Sequence, residues 1–252
     1  MNDTIERFSN RVANYVKYRP GYPHAVIEHL AENCGLTRES IIADVGCGPG
    51  QSSRSFLENG NRVIGVEPNE AMRAAAGEIL GEFENFSVVD GTSENTTLPD
   101  ASVDMIVAAQ AFHWFGAEKT RPEFNRILKP GGRVVLIWNE RQLDTTPFLI
   151  EYEHLLLRYA TDYTKVRHEN VDALKLGEFF QTDHGSAVFE NAQTHDFEGL
   201  KGRMFSASYM PGETDAIATK LSDELAELFA KHARNGKIEI IYDTRIYCSL
   251  PK

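Results

Sequence analysis

The feature that most constrains this chain is an alternation running from residue 41 to residue 138. Five short runs, at 41–45, 62–66, 86–89, 103–108 and 133–138, are mostly continuous in apolar residues, with helical patterns near 52–59, 69–80 and 121–128 between them. A strand that faces water on one side alternates apolar and polar residues. A strand covered on both sides has no such need and reads as an unbroken apolar run. Buried strands separated by helices pack as parallel strands joined by crossovers, which predicts an α/β, doubly wound sheet. A chain of 252 residues, 42% of them hydrophobic, has enough apolar material for one such domain with its own core.

The flanks read differently. Phe8, Val12, Tyr15 and Val16 share one helical face, Arg19-Pro20-Gly21-Tyr22-Pro23 breaks the chain, and a second helix opening at Pro23 puts Val26, Ile27, Leu30 and Ala31 on one side. Residues 1–40 are expected to form an N-terminal helical lid, with 1–23 lying over the ligand edge of the sheet and closing it. The alternative is a first helix that belongs permanently to the core. Beyond the sheet, 148–160 and the stretch carrying Ile217, Leu221, Leu225, Leu228 and Phe229 read as helices, and 187–189 as a strand extending toward Phe197. Residues 238–250 alternate, with Ile238, Ile240, Tyr242, Ile246 and Cys248 opposite Glu239, Asp243, Arg245 and Ser249, which predicts a half-exposed antiparallel C-terminal strand. Residues of about 145–210 are read as a cap insertion over the mouth of the site, within a single domain of 1–252.

Charge and composition narrow the partners. The net charge of −11, from 26 basic and 37 acidic side chains, repels phosphate backbones, and no Lys/Arg cluster offsets it, so no nucleic-acid partner is expected. No stretch approaches the ~20 apolar residues of a transmembrane helix, and the polar start of the chain lacks the apolar core of a signal peptide. The expected setting is cytoplasmic, with no membrane partner. Cys34, Cys47 and Cys248 are widely spaced and suit reduced thiols rather than disulfides or zinc. No metal site is expected, and the protein is expected to act on a small-molecule substrate as a monomer or weak homodimer.

The run at 41–45 leads straight into Gly46-Cys47-Gly48-Pro49-Gly50. Glycines at alternate positions let the backbone turn tightly and come close to a ligand, and ligands of such sheets bind at the carboxyl ends of the strands. A dinucleotide fingerprint starting at Gly46 would need glycine at 51, where Gln51 stands. Pro49 would also disturb the helix N-terminus that cradles a pyrophosphate. The loop therefore suits a ligand without a diphosphate. Seventeen residues past Gly50 the second run ends at Glu67, whose carboxylate can accept bonds from both ribose hydroxyls of an adenosine.

These residues carry a family resemblance. Asp44-Val45-Gly46-Cys47-Gly48-Pro49-Gly50 resembles the nucleotide loop of class I S-adenosylmethionine-dependent methyltransferases, and Val66-Glu67-Pro68 the acidic end of their second strand. Leu98-Pro99-Asp100-Ala101-Ser102-Val103-Asp104 and Leu128-Lys129-Pro130-Gly131-Gly132 resemble the entries to their fourth and fifth strands, so the likeness runs from about 41 to 138 with four motifs in order. Arg19-Pro20-Gly21-Tyr22-Pro23, Gln110-Ala111-Phe112-His113-Trp114 and the C-terminal Tyr247-Cys248 more weakly resemble a small-molecule subgroup akin to trans-aconitate methyltransferase.

The resemblance implies a mostly parallel seven-stranded sheet with an antiparallel C-terminal strand and a helical cap. It also implies S-adenosyl-L-methionine as cofactor, S-adenosyl-L-homocysteine as product, and an oxygen (carboxylate or hydroxyl) as acceptor. By the same carry-over, Gly46, Gly48 and Gly50 pack against the methionine portion and Asp44 reaches its amino group. Glu67 holds the ribose, and Pro68 and Met72 flank the adenine. Thr92 stands where the family often has an adenine-binding aspartate, leaving Ser93 to act through its backbone. Gln110 lines the methionine side, and Tyr18, Arg19 and Gln51 join the cofactor-binding set. Tyr22, His113 and Trp114 fall on the substrate side.

Methyl transfer asks the protein mainly to align the reactants and exclude water, and a base is needed only if the nucleophile arrives protonated. His113 is the candidate catalytic side chain; its alternative is a ring packed among Phe112, Trp114 and Phe115. Arg19 suits a carboxylate of cofactor or substrate, or else a surface role. Two other functions stay open at this point: a Rossmann-type NAD-dependent oxidoreductase, against which Gln51 and the C-terminal strand argue, and a binding protein that keeps the cofactor without catalysis.

Overall fold

A computed structural model of the chain describes residues 12–161, 163, 173–181 and 183–250. Its elements, in order, are α1 (Val12–Tyr18), α2 (His24–Asn33), β1 (Ile41–Val45), α3 (Gln51–Glu58), β2 (Arg62–Val66), α4 (Glu70–Leu80), β3 (Phe86–Val89) and β4 (Val103–Ala109). A 3-10 turn (Phe112–Trp114) leads to α5 (Ala117–Ile127), β5 (Leu128–Arg141), α6 (Pro147–Tyr159), α7 (Ala173–Phe180), β6 (His184–His195), α8 (Phe197–Phe205), α9 (Ala218–His232) and β7 (Ile238–Ser249). The strands form one seven-stranded sheet in the order β3-β2-β1-β4-β5-β7-β6. β1 to β5 pair in parallel, and β7 runs antiparallel to both β5 and β6. This is the doubly wound sheet that the alternation predicts.

The continuous apolar runs are explained by packing on both faces. Ile42, Met105, Val107, Val135 and Ile137 meet Val26, Ile27 and Leu30 of α2 and Phe56 and Leu57 of α3. Their neighbours Ala43, Val45, Ile106, Ala108, Leu136 and Trp138 meet Phe124 and Ile127 of α5 and Leu176, Phe179 and Phe180 of α7 on the other side. A third cluster joins α6, α8 and α9 to Ile238, Ile240 and Tyr242 of β7.

Three expectations change. β5 is longer than 133–138 because its pairing with β7 continues to Arg141, and Gly131 (φ +79°) kinks the strand instead of ending it. The stretch 145–210, read as a cap over the mouth of the site, contributes a strand to the sheet itself: it contains β6, the outer strand, and two helices of the third cluster. Its strand is legible in the sequence only at 187–189 because β6 is an edge, with most positions partly or fully exposed. Within 1–40, α2 is a core helix and not part of a lid, since Val26, Ile27 and Leu30 are buried against the sheet. Phe8 and residues 1–11 lie outside the described residues, so the lid expectation is carried only by α1 and the break after it. Among the described residues, no helix is long and apolar enough to cross a membrane. The three cysteines are buried and free of disulfides.

Candidate active site

Strand order reverses between β1 and β4, since β2 and β3 lie to one side of β1 and β4 and β5 to the other. A crevice forms at the carboxyl ends of strands at such a switch point. Here it is a cavity of about 480 Å³ whose walls include Gly46, Gly48, Glu67, Met72, Gln110 and Trp114.

The loop after β1 builds one wall. Gly46, Gly48 and Gly50 have φ of +71°, +54° and +93°, the left-handed region in which a Cβ is penalised. Two of them are also pressed by neighbours. A Cβ on Gly46 would lie 2.7 Å from Cβ of Ala111, and one on Gly50 would lie 2.4 Å from Cδ1 of Leu80. Gly48 has nothing within 4 Å of that position, so it is the loop glycine whose backbone a ligand can approach. Gly50 does not line the cavity. It caps α3 and lets α4 pack against the loop.

Two buried acids stand at this loop. Asp44, on β1, is fully buried; its Oδ2 accepts bonds from Ser52 Oγ (2.6 Å) and Ser53 Oγ (2.7 Å), while Oδ1 is buried with no partner. Burial pushes its carboxyl up to about 6, against the pull of those hydroxyls. Glu67 ends β2 and lines the cavity. Its Oε2 accepts from the Gly48 N–H and its Oε1 from the Asn69 N–H, both at 2.9 Å. Burial raises its carboxyl too, opposed by the same backbone bonds. Asn69 caps α4 by accepting from the Met72 N–H at 2.9 Å, which fixes Met72 beside Pro68 in the cavity wall.

Opposite, Thr92 and Ser93 line the wall after β3. Thr92 Oγ1 accepts from the Asn95 N–H at 3.1 Å, and Ser93 Oγ accepts from Thr120 Oγ1 at 3.0 Å. Gln110 follows β4 with φ +55°, and its amide donates to the Asn139 carbonyl at 2.9 Å, so its side chain is held while its backbone meets the cavity.

The structure does not bring every expected residue to this wall. Tyr15 lines it, but Tyr18, Arg19, Tyr22, Asp44, Gln51 and His113 do not. Tyr18 packs into the notch at Gly202, where a Cβ would sit 2.0 Å from its ring. Gln51 donates to the carbonyls of Tyr15 (3.2 Å) and Arg19 (3.5 Å), and so staples α1 to the start of α3. Tyr22 packs against the core on the α2 side, where burial raises its phenol well above its ordinary value. His113 accepts from the Trp138 indole at 3.5 Å and lies 4.9 Å from the Trp114 ring centroid. The packed alternative for His113 therefore describes its surroundings, and Trp114 alone of that pair reaches the cavity. Asn69, Gly91, Ala111, Phe115 and Gly116 also line the wall, although their residue types carry no signal of a site. Each lies within five residues of a predicted one, in the turns after β2, β3 and β4, so the signal available is position after a strand rather than residue type.

Comparison with known proteins agrees with this geometry. Residues 43–136 match the family described as the methyltransferase domain. An uncharacterised methyltransferase of Mycobacterium tuberculosis is 30% identical over 89% of this chain and 86% of its own length. The chain belongs to the class I S-adenosylmethionine-dependent methyltransferases. An uncharacterised methyltransferase-like protein of Schizosaccharomyces pombe is 28% identical over 97% of this chain and 95% of that protein. The fold matches a solved candidate type II methyltransferase of Anaeromyxobacter dehalogenans with a TM-score of 0.71, at 22% identity, covering 93% of this chain and all of that one. A methyltransferase of this class takes its methyl group from S-adenosylmethionine, and the residues present fit that molecule. The unpartnered Oδ1 of buried Asp44 suits an ammonium group, and the Glu67 carboxylate keeps acceptor capacity beyond its two backbone bonds.

Proposed function

We propose that this methyltransferase binds S-adenosylmethionine in the cavity between β1, β2 and β4 and methylates an oxygen of a small-molecule acceptor. The observation that carries the reading is the pair of buried acids at the glycine loop, one with an unpartnered oxygen and one in the cavity wall. When bound, the cofactor supplies a methyl group on a sulfonium: an acceptor lone pair forms the new bond to carbon as the C–S bond breaks, and its electron pair passes to sulfur.

The chain's own residues hold and shield. Asp44 and the loop backbone take the amino-acid end, Glu67 takes the ribose, and Met72 and Pro68 flank the base. Phe115, Trp114 and Tyr15 make the wall apolar enough to exclude water. Among the described residues, the titratable side chains in that wall are Tyr15, Glu67 and Glu94, so any base there would be a carboxylate and not an imidazole or amine. An acceptor that arrives deprotonated needs none, and a carboxylate oxygen meets that condition. The net charge of −11 favours a small acceptor over a nucleic acid.

Calorimetric titration with S-adenosylhomocysteine, S-adenosylmethionine and NAD tests the cofactor, and a screen for S-adenosylhomocysteine release tests the acceptor. The expected result is binding of the first two and not of NAD. NAD binding without S-adenosylhomocysteine binding would overturn the reading.

A further inference from the structure

The guanidinium groups of Arg19, Arg141 and Arg203 lie partly or fully buried near β5 and β7, and of these three, among the described residues, only that of Arg141 has a counter-ion. Arg141, at the end of β5, pairs with Glu153 and donates to the Tyr163 hydroxyl at 3.0 Å. Arg203, on α8, is 8% exposed, and its Nε donates to the Tyr242 hydroxyl at 3.1 Å. Burial works against its charge, but the phenols of Tyr242, Tyr209 and Tyr152 outweigh that and favour its charged form, and among the described residues no carboxylate pairs with it. Arg19 donates from Nη2 to the Ser206 carbonyl at 3.1 Å and lies 5.1 Å from the Tyr15 ring centroid, while its Nε is buried with no partner. Its own burial and the nearby charge of Arg203 both work against its charged form. The neighbouring groups do not compensate. His195 is held neutral by burial and by Arg203, at about 4, and Asp196 is exposed, accepting from the Gly199 N–H at the start of α8.

Among the described residues these two like charges have no counter-ion, and burial and the Arg203 charge leave Arg19 disfavoured as a cation, which an anion would relieve. The planar fork of a guanidinium matches a carboxylate in particular. The position points to the acceptor as its source. Arg203 is bonded to β7, which is separated from the Asp44 strand by β4 and β5. Tyr15 lines the cofactor cavity and the Arg19 guanidinium lies 5.1 Å from its ring centroid, so Arg19 stands behind that part of the cavity wall. Resting on the methyl-transfer reading above, we propose that Arg19 and Arg203 together anchor a carboxylate of the methyl acceptor.

The test is calorimetric titration of the full chain, saturated with S-adenosylhomocysteine, with benzoate, succinate and citrate. Benzamide and inorganic phosphate serve as the neutral and non-carboxylate counterparts. At least one acid is expected to bind and benzamide is not. Arg203→Met and Arg19→Met should each weaken that acid tenfold or more, with S-adenosylhomocysteine affinity within twofold and a melting temperature equal to or above that of the parent. Arg203→Lys, which keeps the charge and loses the fork, should bind the acid at an intermediate strength, and it answers the question should the Met variant not fold. Binding of S-adenosylhomocysteine with no acid bound overturns the anchor and leaves the cofactor reading standing, as does phosphate binding tighter than every acid. Variants that weaken S-adenosylhomocysteine as much as the acid would instead place the cofactor's own carboxylate there. Variants that simply lower the melting temperature would make the pair structural. Failure of S-adenosylhomocysteine to bind removes the methyl-transfer reading, and this one with it.

Discussion

Around β1 and β2, the buried charges are acids, and their partners are nearly complete. Asp44 takes two hydroxyl bonds, Glu67 takes two backbone N–H bonds, and one oxygen of Asp44 is left over. Around β5 and β7, the buried charges are guanidiniums set among phenols, and among the described residues a built-in carboxylate answers only Arg141. On the reading proposed above, the first region would meet its ligand mostly through backbone and single acceptor atoms, and the second through whole charges. The contrast teaches what each region would ask of a ligand on that reading: a finishing hydrogen bond in one place, a counter-ion in the other.

The comparison breaks most visibly at the one matched guanidinium. Glu153→Ala strands Arg141 in the third hydrophobic cluster, and losing one partner of a buried pair costs roughly 3–5 kcal/mol. Urea unfolding should show a loss of that size, well beyond anything seen with Arg203→Met. Equal losses would mean that Arg203 is also internally compensated.

Next in size is Glu67→Ala. Removing the acceptor of two ribose hydroxyls should weaken S-adenosylhomocysteine by roughly 1.5–3 kcal/mol, read by calorimetry, with little change in fold. An unchanged dissociation constant would place the ribose elsewhere.

The smallest effect is on the pH dependence of stability. Asp44 has a folded value of about 6, above the ordinary carboxylate range, so the protonated form is favoured on folding. That contribution is fully present below the unfolded value and is lost as pH rises through 6. Lowering pH from 7 to 5 should therefore return about 1 kcal/mol to the ligand-free protein through this group. Comparing urea midpoints at both pH values in parent and Asp44→Asn isolates it, and identical pH differences in the two proteins would show that Asp44 does not titrate in this window.

The same contrast governs what can be read from residues alone. The strands at 41–45, 62–66 and 86–89 stand where the apolar runs put them; β1 is buried along most of its length, while β3, at the sheet edge, is marked by its apolar residues alone. The glycine loop, Glu67 and Met72 are legible because each lies within a few residues of a strand end. Arg203 and Tyr242 are not: they are 39 residues apart, on a helix and a strand with no shared period, and only the sheet order brings them together. His113 stands out through its aromatic neighbours, and those neighbours are what hold it, through Trp138 and Trp114. Gln51 reads as a ligand contact because it follows the loop directly; its amide instead turns toward the carbonyls of Tyr15 and Arg19.

β7 is the last strand in sequence, yet it lies inside the sheet, with β5 on one side and β6 on the other. A ribosome therefore releases β6 well before the strand it must pair with exists. Until synthesis passes residue 249, the outer strand has no place on the sheet and Arg203 has no Tyr242 to donate to. Among the described strands, β6 and β7 are thus the pair that completes the sheet after the others have been made, and shortening β7 would undo that pairing from the inside while the glycine loop and its helices were already in place.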